Sequence, residues 1–186
     1  MPHYDPASFQ LNQGANPRPT VQPTTNPAEK LIVSPVSSAD INCPSVDIAE
    51  GGSAYRAGGA ESASVRYQFN ISDTARECDP AGPGQASVKI GVAGNLVIGP
   101  AGSPGTYSVP LSITVTQEAD KKSVYSKTYK IEAAADATNS GQFRIVADPI
   151  VLPMPTLQLA NVYSITIGFE GGGAPAPRAH KRKISG

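Results

Sequence analysis

Ser64-Val65-Arg66-Tyr67-Gln68-Phe69-Asn70-Ile71-Ser72 alternates without a break: Val65, Tyr67, Phe69 and Ile71 fall on one face, Arg66, Gln68 and Asn70 on the other. Successive side chains of a β-strand point to opposite sides, so this period predicts a strand with one buried and one solvated face. The same texture recurs downstream. Residues 87–92 alternate through Val88, Ile90 and Val92, and residues 107–116 place Tyr107, Val109, Leu111, Ile113 and Val115 on one face. Residues 163–169 do the same with Tyr163, Ile165, Ile167 and Phe169.

Shorter runs fill the intervals. Residues 43–48 read as a strand stopped by Gly51-Gly52, and residues 96–98 as one that follows a turn at Ala93-Gly94-Asn95. Residues 123–132 return from a polar hairpin loop at 118–122. Residues 143–146 and 150–152 form a further pair, broken by Pro149, Pro153 and Pro155. Residues 74–78 lead into the turn-rich 79–84, and residues 99–105 are almost pure turn chemistry. Pro110 inside a strong strand predicts an edge position or a bulge, because proline brings no N–H to a ladder. Leu31-Ile32-Val33 is a candidate first strand. The one helix-like stretch, 133–137, is cut short by Asn139-Ser140-Gly141. About seven to nine strands, no amphipathic helix and no internal repeat predict an all-β fold, an immunoglobulin-like β-sandwich, with a barrel second.

The chain divides by composition into a tether at 1–30, a β-domain at 31–170 and a tail at 171–186. Six prolines among Asn, Gln, Thr and Ser mark the first segment, which buries too little apolar surface to offset its ordering entropy. Tyr4, Phe9 and Leu11 there are either small docking anchors or scattered linker residues. The tail ends in a basic cluster, Arg178, Lys181, Arg182 and Lys183, which fits either an acidic partner or a solubilising terminus. Disordered or extended ends are expected around the folded body.

The inventory of chemical groups excludes much. Both histidines, His3 and His180, lie in the end segments, so the body has no imidazole for a Ser-His-Asp or Cys-His arrangement. Two cysteines, Cys43 and Cys78, cannot complete a zinc site alone. Their spacing leaves two readings, a disulfide or two separate buried thiols. Asp73, Glu77 and Asp79 lack the alternation of a calcium loop and read as a solvated turn. The glycine-rich segments lack the lysine and the following helix of a phosphate loop. Tyr125, Lys127 and Tyr129 share one strand face, as a contact patch or as core packing. Asn70-Ile71-Ser72 matches a glycosylation sequon inside a strand. Fifteen basic and fifteen acidic side chains cancel, which gives no bias toward nucleic acid. No enzyme activity and no cofactor is expected. No run approaches the roughly 18 apolar residues of a membrane span. The start, Met1-Pro2-His3-Tyr4-Asp5, lacks the basic and apolar regions of a signal peptide. Two expectations follow: a cytosolic protein, or the mature part of an exported chain whose leader lies ahead of it.

The body also resembles a group of small envelope lipoproteins of alphaproteobacteria. The likeness is carried by Cys43-Pro44-Ser45-Val46 with Glu50-Gly51 and Ala54-Tyr55-Arg56, and by Val65-Arg66-Tyr67-Gln68 leading through Ile71-Ser72-Asp73 to Ala75-Arg76-Glu77-Cys78. It continues through Gly99-Pro100, Gly102, Gly105-Thr106 and Val109-Pro110-Leu111, then Val124-Tyr125-Ser126, Gln142-Phe143, Asp148-Pro149 and Ile167-Gly168-Phe169-Glu170. Together these cover about 43–170. The resemblance implies export to the periplasm or outer membrane, lipid attachment at a cysteine ahead of the present chain, and oxidation of Cys43 with Cys78. It implies no activity. The long basic tail, and a start without a lipid-accepting cysteine, depart from the pattern. The resulting expectation is a non-enzymatic envelope scaffold with protein partners and membrane association through that anchor. A subunit of a larger surface, filament or virion assembly, with the tails as arms, is the second reading. A ligand- or glycan-binding module is the third.

Overall fold

The alternation of residues 64–72 belongs to a strand nearly twice as long as those residues. In the computed structural model, which describes residues 34–171, that strand runs from Val65 to Pro80. The strands in chain order are β1 (Val46–Ile48), β2 (Ala54–Gly58), β3 (Val65–Pro80), β4 (Gln85–Ile98) and β5 (Gly105–Gln117). They continue as β6 (Lys122–Ala135), β7 (Ser140–Val146), β8 (Ile150–Pro153) and β9 (Tyr163–Phe169). One sheet has the order β1-β9-β5-β6; the other has β2-β3-β4-β7, with β8 also on β4. All pairs are antiparallel except β1 with β9. The domain is an all-β, immunoglobulin-like sandwich with its core between the two sheets. The expected strand at Leu31-Ile32-Val33, the whole tether at 1–30 and the basic cluster Arg178, Lys181, Arg182 and Lys183 lie outside the described residues.

The core is built by the period-two pattern. Along β4 every even residue from Ala86 to Ile98 is buried, and along β5 Val109, Leu111, Ile113 and Val115 face it from the other sheet. β9 adds Tyr163, Ile165, Ile167 and Phe169. Each fully buried Ile, Leu or Phe stabilises the fold by about 1.5–3 kcal/mol relative to exposure. Phe69, Phe143 and Phe169 meet between the layers with ring centroids 5.9–6.2 Å apart, largely edge to face.

Three sequence expectations are corrected by tertiary structure, and one strand is added that the sequence did not announce. Residues 74–78 do lead to a turn, at 81–84, but they are not a separate lead-in: they are the second half of β3. Ser72 is an extra residue there, since Ile71 pairs with Gly94 and Asp73 with Ala93. Such a bulge inverts the alternation, so Val65 and Phe69 point inward before it and Cys78 after it. The expected turn at Ala93-Gly94-Asn95 is the middle of β4, which runs straight through. Gly94 is required there by close approach, because a Cβ would overlap the Asn70 carbonyl and lie 2.5 Å from the Phe143 ring. The helix-like stretch at 133–137 is the end of β6, with Ala133 and Ala135 buried, followed by a turn closed by Asn139 at φ 60°. Finally β2, made of Ala, Tyr, Arg, Ala and Gly, has no β-branched signal and exists through its pairing with β3.

The edge or bulge expected at Pro110 is met only in part, because β5 lies between β9 and β6 and its bulge is at Val115–Thr116. The β5–β9 ladder ends at Leu111 with Phe169, and Pro110 accepts a hydrogen bond from the Glu170 N–H just beyond it. Pro110 has no N–H to return the reciprocal bond, so the β5–β9 ladder stops there.

The two cysteines form a disulfide, Cys43–Cys78, with Cα atoms 5.7 Å apart. Cys78 is buried inside β3, and Cys43 lies three residues ahead of β1, so the bond fastens the segment leading into β1 to a strand of the opposite sheet. The same approach segment is held by Asn42 N–H to the Leu157 carbonyl (2.8 Å), Ala160 N–H to the Asn42 carbonyl (2.9 Å), and Ser38 Oγ to Asp79 (2.6 Å).

Candidate functional site

Tyr125, Lys127 and Tyr129 all point toward the gap between the sheets from β6, which is an edge strand. The structure brings them together. The Tyr125 and Tyr129 hydroxyls are 3.0 Å apart, and the Lys127 ammonium lies 4.9 Å from the Tyr129 ring centre. Lys127 Nζ also donates to Asp148 at 2.6 Å, from the kink between β7 and β8. Burial first, and then the hydrogen bond to Tyr129, pushes the Tyr125 phenol up to about 12. The Asp148 carboxylate beside Lys127 holds the ammonium above its usual range. Both rings are packed against the core. The cluster therefore closes one side of the sandwich and ties β6 to the opposite sheet, with its polar atoms largely engaged internally.

A second aromatic group, missed in the sequence, closes the other side. Tyr55 of β2, Tyr67 of β3 and Tyr107 of β5 come together where β9 has ended, with centroids 6.4 Å (Tyr55–Tyr67) and 4.3 Å (Tyr67–Tyr107) apart. Burial raises the Tyr67 phenol. The Tyr107 hydroxyl donates to the Ser103 carbonyl at 2.6 Å. Three tyrosines from three strands share no sequence spacing, so no motif announces them. Their mutual stacking again fills a gap.

Asp73, Glu77 and Asp79, expected in a solvated turn, lie along β3 instead. Lys89 of β4 pairs with Glu77 at 3.4 Å and with Asp79 at 3.5 Å. The Ser38 hydroxyl, more than Lys89, holds the Asp79 carboxyl below its usual range. These cross-strand pairs are solvent-exposed, where screening leaves an ion pair little net effect on stability. Among the described residues, no three His, Cys, Asp or Glu side chains are grouped to hold a metal ion, and no helix is long and apolar enough to cross a membrane.

The outer face of the five-stranded sheet differs from both tyrosine clusters in leaving two opposite charges, Asp73 and Arg144, without an ion pair among the described residues, although Gln68 donates to Asn70 and Lys89 pairs with Glu77 and Asp79 on the same face. Register aligns its side chains in rows across β3, β4 and β7: Gln68–Val97–Ser140, Asn70–Asn95–Gln142, Asp73–Ala93–Arg144 and Ala75–Gly91–Val146. The middle residues of the last two rows are small, and they floor a shallow trough of about 160 Å³. Asp73 and Arg144 stand on opposite banks. Neither makes an ion pair among the described residues. Val146 is 69% exposed, and Val97 and Val151 are exposed on the same face. An open face with apolar knobs, a small-residue floor and opposite unpaired charges is suited to binding another protein surface. The chain matches no protein-family model, and comparison with curated proteins and with solved structures finds no significant match.

Proposed function

We propose that this chain is a non-enzymatic β-sandwich scaffold of the bacterial cell envelope that works by binding protein. The observation that carries the reading is the Cys43–Cys78 disulfide, which closes a 35-residue separation and fastens the segment ahead of β1 to β3. Such bonds persist in oxidising compartments and are rare in the reducing cytosol. The resemblance of residues 43–170 to alphaproteobacterial envelope lipoproteins supports the same compartment, and with it an anchoring lipid on a cysteine ahead of the sandwich. The body between the cysteines and β9 carries no histidine, which favours a binding role over acid–base catalysis.

Fractionation of native cells, combined with thiol alkylation before and after reduction, tests this reading. The expected result is an envelope-bound chain whose two cysteines react only after reduction. Labelled fatty acid should enter the chain, and crosslinking should give a product of defined size. A cytosolic chain with both thiols freely alkylated would overturn the proposal.

A further inference from the structure

We propose that the outer face of the five-stranded sheet binds a second copy of this chain, with a two-fold axis running along β4 between the copies. Such an axis turns one copy over while leaving positions along the strand unchanged. β3 of the first copy then faces β7 of the second, and β4 faces β4. Because Asp73, Ala93 and Arg144 share one row, Asp73 of each copy meets Arg144 of the other. Within one chain these two stand two strand spacings apart, about 10 Å, and they make no ion pair with each other. Across the axis they form two carboxylate–guanidinium pairs, the strongest class of protein ion pair.

The neighbouring row fits by the same operation. Val146 of each copy lands on Ala75 of the other, and Gly91 faces Gly91, so an exposed knob enters a small-residue floor. Val97 lies near the axis one strand segment away and meets its own copy. Lys89, also near the axis, is already held by Glu77 and Asp79, so it brings no unpaired charge to the face. Opposite charges placed symmetrically about β4, each with the complementary size beside it, are what a self-complementary contact demands. A different protein partner requires no such symmetry. The inference goes beyond compartment and anchoring and is tested on purified chain, so either can fail without the other.

Sedimentation velocity of the full oxidised chain over a concentration series is the test, with thermal melting to show that each variant is folded. Wild type should move from monomer to dimer as concentration rises. Asp73→Arg alone and Arg144→Asp alone should each remain monomeric, because each sets like charges against one another twice. An equimolar mixture of the two single variants should regain the dimer, as should the double variant. Gly91→Arg blocks the face at a position where a Cβ meets nothing closer than 3.6 Å, so it reads the contact even where a charge reversal disturbs β3 or β7. A wild type that stays monomeric throughout overturns the proposal. So does a folded Gly91→Arg that dimerises as wild type does, or a mixture of folded single variants that fails to associate.

Discussion

Gly94→Ala separates the two roles a glycine can have in this chain. At a turn, alanine would cost about 1 kcal/mol, chiefly through backbone conformation. In the middle of β4 the cost has a different origin. The added methyl would overlap the Asn70 carbonyl oxygen of the adjoining strand and lie 2.5 Å from two carbons of the Phe143 ring. Overpacking of a filled core costs about 1–3 kcal/mol per site. One of the obstacles here is backbone, which has no rotamer to change, so the expected loss is at the upper end, about 3 kcal/mol. That is a large fraction of the about 5–15 kcal/mol that usually separates folded from unfolded. Urea unfolding of Gly94→Ala, Phe143→Leu and the double variant gives the measurement. Removing part of the ring leaves room for the methyl, so the two changes should be non-additive, with a coupling of about 1 kcal/mol. A Gly94→Ala penalty under about 0.5 kcal/mol, within the range of ordinary surface substitutions, would refute the packing account. An equal penalty in both backgrounds would refute the part assigned to Phe143.

Replacing both cysteines by alanine should lower stability by about 4 kcal/mol, the chain-entropy value for a 35-residue separation. Urea unfolding of the oxidised wild type against Cys43→Ala/Cys78→Ala reads it, and a loss under about 1 kcal/mol would show that the disulfide contributes little beyond the Asn42 and Ser38 hydrogen bonds. Alkaline stability should follow Tyr125. Its phenol is pushed up to about 12 in the fold but titrates near about 10 when unfolded. The folded state therefore keeps a proton that the unfolded state releases, and stability present below pH 10 is lost as pH rises toward 12. Tyr129→Phe removes the hydrogen-bond partner, so phenolate absorbance should show Tyr125 ionising at lower pH, though still raised by burial. An alkaline titration unchanged in Tyr125→Phe would sink the assignment.

Local pattern determined a good deal of this protein. The alternation in residues 64–72, 87–92, 107–116 and 163–169 specified strands and their inward faces, because the side-chain period of a strand is a property of its own backbone. Composition likewise located a cysteine pair in a body without imidazole. What lay beyond the sequence was everything that depends on a partner strand. The bulge at Ser72 inverted the phase of β3 and hid its second half, and Gly94 resembled a turn residue until Phe143 and Asn70 closed around it. Ala133 and Ala135 resembled helix until β5 paired with them. The sequence grouped Tyr125, Lys127 and Tyr129 correctly on one face, but only the fold supplied Asp148 and showed how fully the group is occupied. Tyr55, Tyr67 and Tyr107 needed three strands to meet. The row Asp73–Ala93–Arg144 needed the register of two ladders across residues 71 positions apart in sequence. A strand carries its period within itself, whereas register and cross-strand neighbours are set by which strands pair, and that is decided by the burial of the whole core.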